Sequence, residues 1–305
     1  MTDRVMVHVG GRELELSNLD KVLYPEVGFT KGEIIDYYVR VAPAILPHLQ
    51  DRPLTRIRYP NGVHQQSFFE KNAPGGTPSW VRRVTLPVPG SSMGRETLDF
   101  VVVDDIATLV WLANLAAIEL HSPQWRLDGK DPIPPDLLVA DLDPGEPAGL
   151  AECCLVAVAA RHRFEVDGLT AYPKTSGKKG MQLLCPLPGD KSSDEVSLYA
   201  KQVAEDLERA LPELVTAKMT KRLRPGKVFF DWSQNAAFKT TVSAYSLRAG
   251  PTPTVSAPFT WDEVESSQVR PLPPEEVLER VETHGDLLAP LLPTAPPKAQ
   301  KRRRS

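Results

Sequence analysis

Apolar and polar positions alternate over residues 5–16, with Val5, Val7 and Val9 before Gly10-Gly11 and Leu14 and Leu16 after it, a pattern that predicts a β-hairpin turning at the two glycines. The segment Asn18-Leu19-Asp20-Lys21-Val22-Leu23-Tyr24-Pro25 breaks the alternation. Thr30 can then cap a helix from about Lys31 to Leu49, because Ile34, Tyr38, Val41 and Ile45 recur at helical spacing. Residues 52–60 return to an extended pattern with arginines on one face. After a polar loop comes Phe68-Phe69-Glu70-Lys71, where neighbouring side chains on a strand face opposite ways, so one phenylalanine is expected either outside the core as a stacking surface for a base or turned under a nearby loop. The run Asp105 to Leu120 carries Ile106, Leu109, Val110, Leu112, Leu115 and Ile118 and predicts an apolar core helix with His121 at its end. Beyond it the pattern predicts a buried strand at 137–142, a helix at 148–163, and strands at 169–173, 181–185 and 228–232. A helix opened by the capping box of Ser192 and Glu195 is expected to run to about Leu211, and a short one to cover 275–282.

The 305 residues are 41% hydrophobic, enough for one large domain or two packed lobes. No stretch approaches the ~20 apolar residues of a membrane helix, and the start lacks the apolar centre of a signal peptide, so a cytoplasmic, nucleoid-associated protein without a membrane partner is expected. Cys153 and Cys154 are adjacent and Cys185 lies apart, which favours neither a disulfide framework nor a structural zinc site. The formal charge of −3 argues against nucleic acid only if it is spread evenly. It is not: Lys298, Lys301, Arg302, Arg303 and Arg304 crowd a Pro/Ala-rich tail at 294–305, expected to be disordered, and two further basic groups lie at 174–179 and 218–227. The first 293 residues are expected to form the folded domain.

Chemistry concentrates at Asp141-Leu142-Asp143-Pro144-Gly145, where the strand at 137–142 ends in two carboxylates. Side chains two apart on a strand share a face, about 6–7 Å from each other, and two ionised carboxylates at that separation suit a hard divalent cation such as Mg²⁺ or Mn²⁺, or else cap the turn that follows and face water, a choice the rest of the chain must decide. Asp231 is the odd residue in its apolar strand and needs a partner; a metal shared with Asp141 and Asp143 would supply one. Lys174-Thr175-Ser176-Gly177-Lys178-Lys179-Gly180 combines glycines, hydroxyls and lysines as a phosphate-cradling loop requires, but it is followed by a strand and is no Walker A loop. Gln234, Asn235, Lys239, Thr240, Thr241, Ser246 and Arg248 form a dense set of potential phosphate and sugar ligands.

Taken together, Asp-Leu-Asp-Pro-Gly at 141–145, Ser-Gly-Lys-Lys-Gly at 176–180 and Asp-Trp-Ser-Gln-Asn with Lys-Thr and Tyr-Ser-Leu-Arg at 231–248 resemble the polymerase domain of bacterial ATP-dependent DNA ligase D, of the archaeo-eukaryotic primase superfamily. The likeness runs from Asn18 through Glu263. It implies an α+β primase-polymerase fold, with central, mostly antiparallel or mixed sheets flanked by helices. It also implies a template-directed nucleotidyltransferase that fills gaps at broken DNA ends in non-homologous end joining, prefers ribonucleotides and uses two Mn²⁺ or Mg²⁺ ions.

By the same resemblance Asp141, Asp143 and Asp231 are the catalytic, metal-binding triad. His121, Ser176, Lys179, Gln182, Gln234 and Arg248 match nucleotide-binding positions. Phe68 and Phe69 match the pair that packs on the template, while Asn18, Lys21 and Lys31 match a pocket for a recessed 5′-phosphate. The implied partners are DNA with that 5′-phosphate, NTP or dNTP, and Ku; the chain is expected to be a stand-alone polymerase, which then needs an ATP-dependent ligase in trans, or one excised from a longer protein. One departure stands out: the family's glycine loop usually ends in a histidine, where this chain has Gln182, which can donate to a phosphate but carries no charge. That leaves a non-catalytic DNA-end adaptor as an alternative, and a glycosyltransferase using Asp-x-Asp with Mn²⁺ as a more distant one.

Overall fold

The computed structural model describes residues 4–88, 94 and 96–293; the expected tail at 294–305 lies outside the described residues. Two sheets carry the α+β architecture. In the first, strands run in the order Tyr172–Thr175, Met181–Pro186, Leu137–Pro144, Val228–Asp231 and Val215–Thr216, antiparallel except for the last pair. The second, antiparallel throughout, has the order Thr241–Val242, Ala117–Ser122, Pro53–Arg58, Thr97–Val102 and Arg83–Pro87, and Phe68–Glu70 also pairs with Pro53–Arg58.

Helices Leu150–Val166 and Ser193–Ala210 cover the first sheet. Lys31–Leu49 packs on Ile106–Asn114, which in turn packs against the second sheet. A single large core passes through both layers and joins Ile34, Val41, Leu109 and Leu120 to Leu138, Leu183 and Phe230. Among the described residues, no helix is long and apolar enough to cross a membrane.

Local chemistry sets most boundaries. Arg4–Val9 and Arg12–Ser17 form the hairpin, with Gly10 and Gly11 both at positive φ as a tight turn of this hand requires. Thr30 caps its helix by accepting from the Glu33 N–H, while the Glu33 carboxylate accepts from the Thr30 N–H, a reciprocal box that repeats at Ser192 and Glu195.

The run expected as one helix over 105–120 divides. The helix ends at Asn114, Ala116 takes a left-handed φ of 58°, and Ala117–Ser122 is a strand between Pro53–Arg58 and Thr241–Val242. An apolar run buried on every side carries no period that separates helix from strand. Smaller shifts occur elsewhere: the helix expected at 148–163 spans 150–166, and the strand expected at 169–173 spans 172–175.

Candidate active site

Strand register assembles the acidic side. Leu137–Pro144 is the central strand of its sheet, and its Asp141 lies directly opposite Asp231 on one side and Gln182 on the other, with Lys174 opposite Gln182. Lys174, Gln182, Asp141 and Asp231 therefore form one row across four strands. Because opposed residues share a face and side chains two apart do too, Asp143 joins them. A slip of one residue would send both strand aspartates to the other face.

Gly180 permits the close approach of the neighbouring turn, since a methyl there would lie 2.6 Å from the Leu142 carbonyl oxygen. The Gln182 Nε2 donates to Asp141 Oδ1 at 2.9 Å, and Lys174 Nζ donates to Gln182 Oε1 at 2.6 Å. Asp231 caps the turn Trp232–Asn235, accepting from the Ser233 N–H at 3.1 Å, Ser233 Oγ at 2.6 Å and Gln234 Nε2 at 2.8 Å. Asn235 is buried and bonds both backbone groups of Val139, so it pins this turn to the central strand and is not a ligand-facing residue.

Like charges in such a row cannot ionise freely. Burial and the repulsion of Asp143 push the Asp141 carboxyl up to about 7; the Gln182 N–H opposes this and Asp231 adds to it. Burial and Asp231 likewise raise Asp143, while Arg224, Lys179 and Arg248 pull the other way. Burial and Arg248 press the Lys174 ammonium down to about 7.

Three carboxylates at neighbouring register positions are the donor set that a hard divalent ion takes. Among the described residues, however, no three carboxylate, histidine or cysteine side chains already converge on one point as a closed metal site. The Asp231 carboxylate accepts instead from Ser233 and Gln234.

The second sheet supplies the basic side around Glu119, which is almost fully buried. Its Oε1 meets Lys178 Nζ at 3.2 Å and the Ala249 N–H at 3.0 Å, and its Oε2 meets His121 Nε2 at 3.1 Å and Arg248 Nη1 at 3.2 Å. Burial alone would raise the Glu119 carboxyl, but the His121 hydrogen bond and the charges of Arg248 and Lys178 hold it at about 2. Burial lowers His121, against the pull of Glu119.

In the glycine loop Ser176 Oγ accepts from the N–H groups of Lys178 and Gly180, and Lys179 stays exposed. Gly177 has φ +74°, and a methyl there would lie 2.5 Å from Arg248 Cγ, so loop and arginine are in direct contact. Arg248 Nε is buried and has no partner among the described residues. The structure thus brings His121, Ser176, Lys179, Gln182, Gln234 and Arg248 around the carboxylate row, but Gln182 is buried with both ends of its amide engaged and Gln234 is held by Asp231. Ser246, grouped with the polar ligands in the sequence, is fully buried and accepts from the Leu120 N–H.

Two further groups lie at the surface. Asn18, at φ 53°, and Lys21 are exposed, and Lys21 donates to Asn61 Oδ1 at 3.0 Å. Lys31 is drawn beside them by its N–H bond to the Lys21 carbonyl, but its ammonium turns inward onto Asn114 Oδ1 (2.8 Å), the Asn114 carbonyl (3.0 Å) and Ser17 Oγ (3.5 Å). Burial and Lys21 lower it to about 8. Phe68 and Phe69 are both exposed, 42% and 61%, where only one was expected. Their strand is anchored instead by Glu70, which both Arg56 and Arg58 clamp against Pro53–Arg58, so neither ring is needed to hold it.

Glu119 and Lys174 escaped the sequence reading as site residues. The first sat in the stretch read as helix; as a strand, Glu119 and His121 share a face by the period of two. The second was counted among the loop lysines, although it belongs to the strand before the loop.

Residues 30–288 match the family model described as LigD, primase-polymerase domain. The chain is 46% identical over 283 residues to the multifunctional non-homologous end joining protein LigD of Mycolicibacterium smegmatis, an alignment covering 93% of this chain and 36% of that protein. It is 33% identical over 275 residues to the bifunctional non-homologous end joining protein LigD of Bacillus subtilis, covering 90% and 43%. The chain thus spans well under half the length of these relatives. Among solved structures it is similar to the polymerase domain from Mycobacterium tuberculosis ligase D in complex with DNA, with a TM-score of 0.88 and 46% identity over 93% of this chain and 99% of that one. The chain belongs to the LigD primase-polymerase domain family.

Proposed function

We propose that this chain is a template-directed nucleotidyltransferase of DNA end repair, which adds nucleotides, ribonucleotides by preference, to a primer 3′-hydroxyl at gapped or broken DNA ends in non-homologous end joining. The observation that carries the reading is the facing pair Asp141 and Asp231, with Asp143 two residues on, set against a lysine-bearing glycine loop that touches Arg248. The names of the relatives and of the solved complex with DNA support it.

Asp141, Asp143 and Asp231 would hold two Mn²⁺ or Mg²⁺ ions. When bound, such ions activate the attacking hydroxyl and offset charge on the leaving group. The chain's own contribution is alignment and charge. Ser176, Lys179 and Arg248 would receive the triphosphate, with His121 held by Glu119 and Gln234 held by Asp231 beside it. Asn18 and Lys21, with Lys31 bracing them from within, would take the recessed 5′-phosphate. Phe68 and Phe69 would stack on the template near the break. Ku and an ATP-dependent ligase are the proposed protein partners, because a filled gap still needs its ends held and sealed.

The test is primer extension on gapped, 5′-phosphorylated DNA with Mn²⁺ and labelled ribonucleotides. Incorporation by the wild type, lost in Asp141→Ala and Asp143→Ala while both variants still bind the DNA, is the expected result. Extension by either variant near the wild-type rate overturns the triad, and DNA binding without incorporation by the wild type selects the adaptor.

A further inference from the structure

Lys174 is a fully buried lysine whose three N–H donors all meet neutral acceptors: Gln182 Oε1 at 2.6 Å, Ser256 Oγ at 2.6 Å and the Val242 carbonyl at 3.0 Å. An ammonium removed from water without a touching carboxylate is costly, and hydrophobic packing alone gives no reason to keep one here. The carboxylate that acts on it is Asp141, on the far side of Gln182.

While Lys174 is protonated, the order of donors and acceptors along this chain leaves no freedom. An ammonium only donates, so Gln182 must turn its carbonyl toward Lys174 and its NH₂ toward Asp141. An apolar side chain at 174 would release the amide to flip, and a flipped amide would set a carbonyl oxygen against the Asp141 carboxylate.

We infer that Lys174 is a positioning residue for the acidic site: acting through Gln182, it fixes an N–H donor on Asp141 Oδ1 and leaves Oδ2 as the oxygen offered to a divalent cation. The pair gives Asp141 a donor of set direction, so an uncharged amide at 182 is compatible with a metal-binding carboxylate row. This inference rests on the metal-binding part of the proposed function, not on polymerisation.

Mn²⁺ alone is the probe, its binding followed by the loss of the free-ion electron paramagnetic resonance signal without DNA or nucleotide. Lys174→Met is expected to weaken Mn²⁺ binding about tenfold, and Gln182→Leu to weaken it similarly. The double variant is expected to be no weaker than Gln182→Leu alone, because the lysine acts only through the amide. Lys174→Arg keeps a side chain that only donates to the Gln182 carbonyl and is expected to bind Mn²⁺ within about threefold of the wild type, which also serves if the methionine variant does not fold. Wild-type affinity in Lys174→Met, additive losses in the double variant, or a tenfold loss in a folded Lys174→Arg each overturn the inference. A wild type that binds Mn²⁺ but does not extend primers refutes the polymerase reading and leaves this one standing.

Discussion

Replacing Asp141 by asparagine should make the metal-free protein more stable at pH 8 and no more stable at pH 4. The folded chain holds the Asp141 carboxyl near 7, against 3.8 for the free side chain, because burial and Asp143 both disfavour its charge. An acid whose folded pKa is raised binds more protons folded than unfolded between those two values, so its cost is absent below 3.8, grows through the interval and is complete above 7. The whole interval corresponds to about 4 kcal/mol at 1.36 kcal/mol per unit, an upper bound because Asp141 and Asp143 share the repulsion. Asparagine has nearly the same shape, keeps an acceptor for the Gln182 N–H and carries no charge. For a chain of this length that bound corresponds to a rise in Tm of at most about 6 °C. The assay is thermal unfolding of both proteins in chelator at pH 4, 6 and 8, repeated at pH 8 with excess Mn²⁺. The difference should grow with pH in chelator, and the metal should stabilise the wild type more than the variant. Equal Tm values in chelator at pH 8, or a variant that is less stable there, would refute the placement of an unneutralised Asp141 beside Asp143 and Asp231.

Glu119→Gln leaves Arg248, Lys178 and His121 around a neutral amide and should lower stability by about 3 kcal/mol at pH 7 in denaturant unfolding. Since the Glu119 carboxyl is held at about 2, the stability it contributes is complete above its ordinary value of 4.5 and is lost as pH falls toward 2, so wild type and variant should converge in acid. Phe68→Ala and Phe69→Ala should each weaken binding of template-strand DNA by about 1–3 kcal/mol, read by fluorescence anisotropy at fixed salt, without changing Mn²⁺ binding. Lys21→Ala should reduce the preference for 5′-phosphorylated over unphosphorylated ends. Lys31→Ala should act chiefly on stability, by about 1–3 kcal/mol, because it strips a donor from the half-buried Asn114 contacts; an equal loss of end preference with no loss of stability would contradict the inward geometry of Lys31.

The elements that carry the acidic residues were legible because each is a short apolar run closed by a carboxylate, and a period of two tells which side chains share a face. What no local pattern contains is register. That Asp231 lies opposite Asp141 depends on a pairing between strands far apart in sequence, and the cost of an unpartnered carboxylate in an apolar strand, together with likeness to known motifs, drew the two together in advance, not spacing. The helix expected over 105–120 shows the opposite failure: its apolar residues satisfy a helical period and a strand equally well, and the turn at Ala116 has no glycine or proline to announce it. That misreading hid the Glu119 and His121 pair. Asn235 and Ser246 mark a third limit, since a polar residue within a motif can serve the backbone rather than a ligand, and only burial tells the two apart.

The two halves of the site are built on different sheets that share one hydrophobic core, and polar contacts join them at the site itself. Lys174 reaches from the first sheet to the Val242 carbonyl of the second, and Lys178 reaches from the glycine loop to Glu119. Charge explains why the contacts take this form. The first sheet carries a row of carboxylates that repel one another, while the second gathers His121, Arg248 and, across the gap, Lys178 on a single carboxylate. Each half holds an imbalance that the other relieves, so the sheets are drawn together along the edge where a triphosphate with its cations would lie. A substrate of that kind brings both signs at once, phosphate oxygens for the basic residues and divalent ions for the acidic ones. Under the proposed function, nucleotide addition draws on both sheets: Lys174 acts on the acidic row through Gln182, and Glu119 holds Arg248, Lys178 and His121 on the basic side.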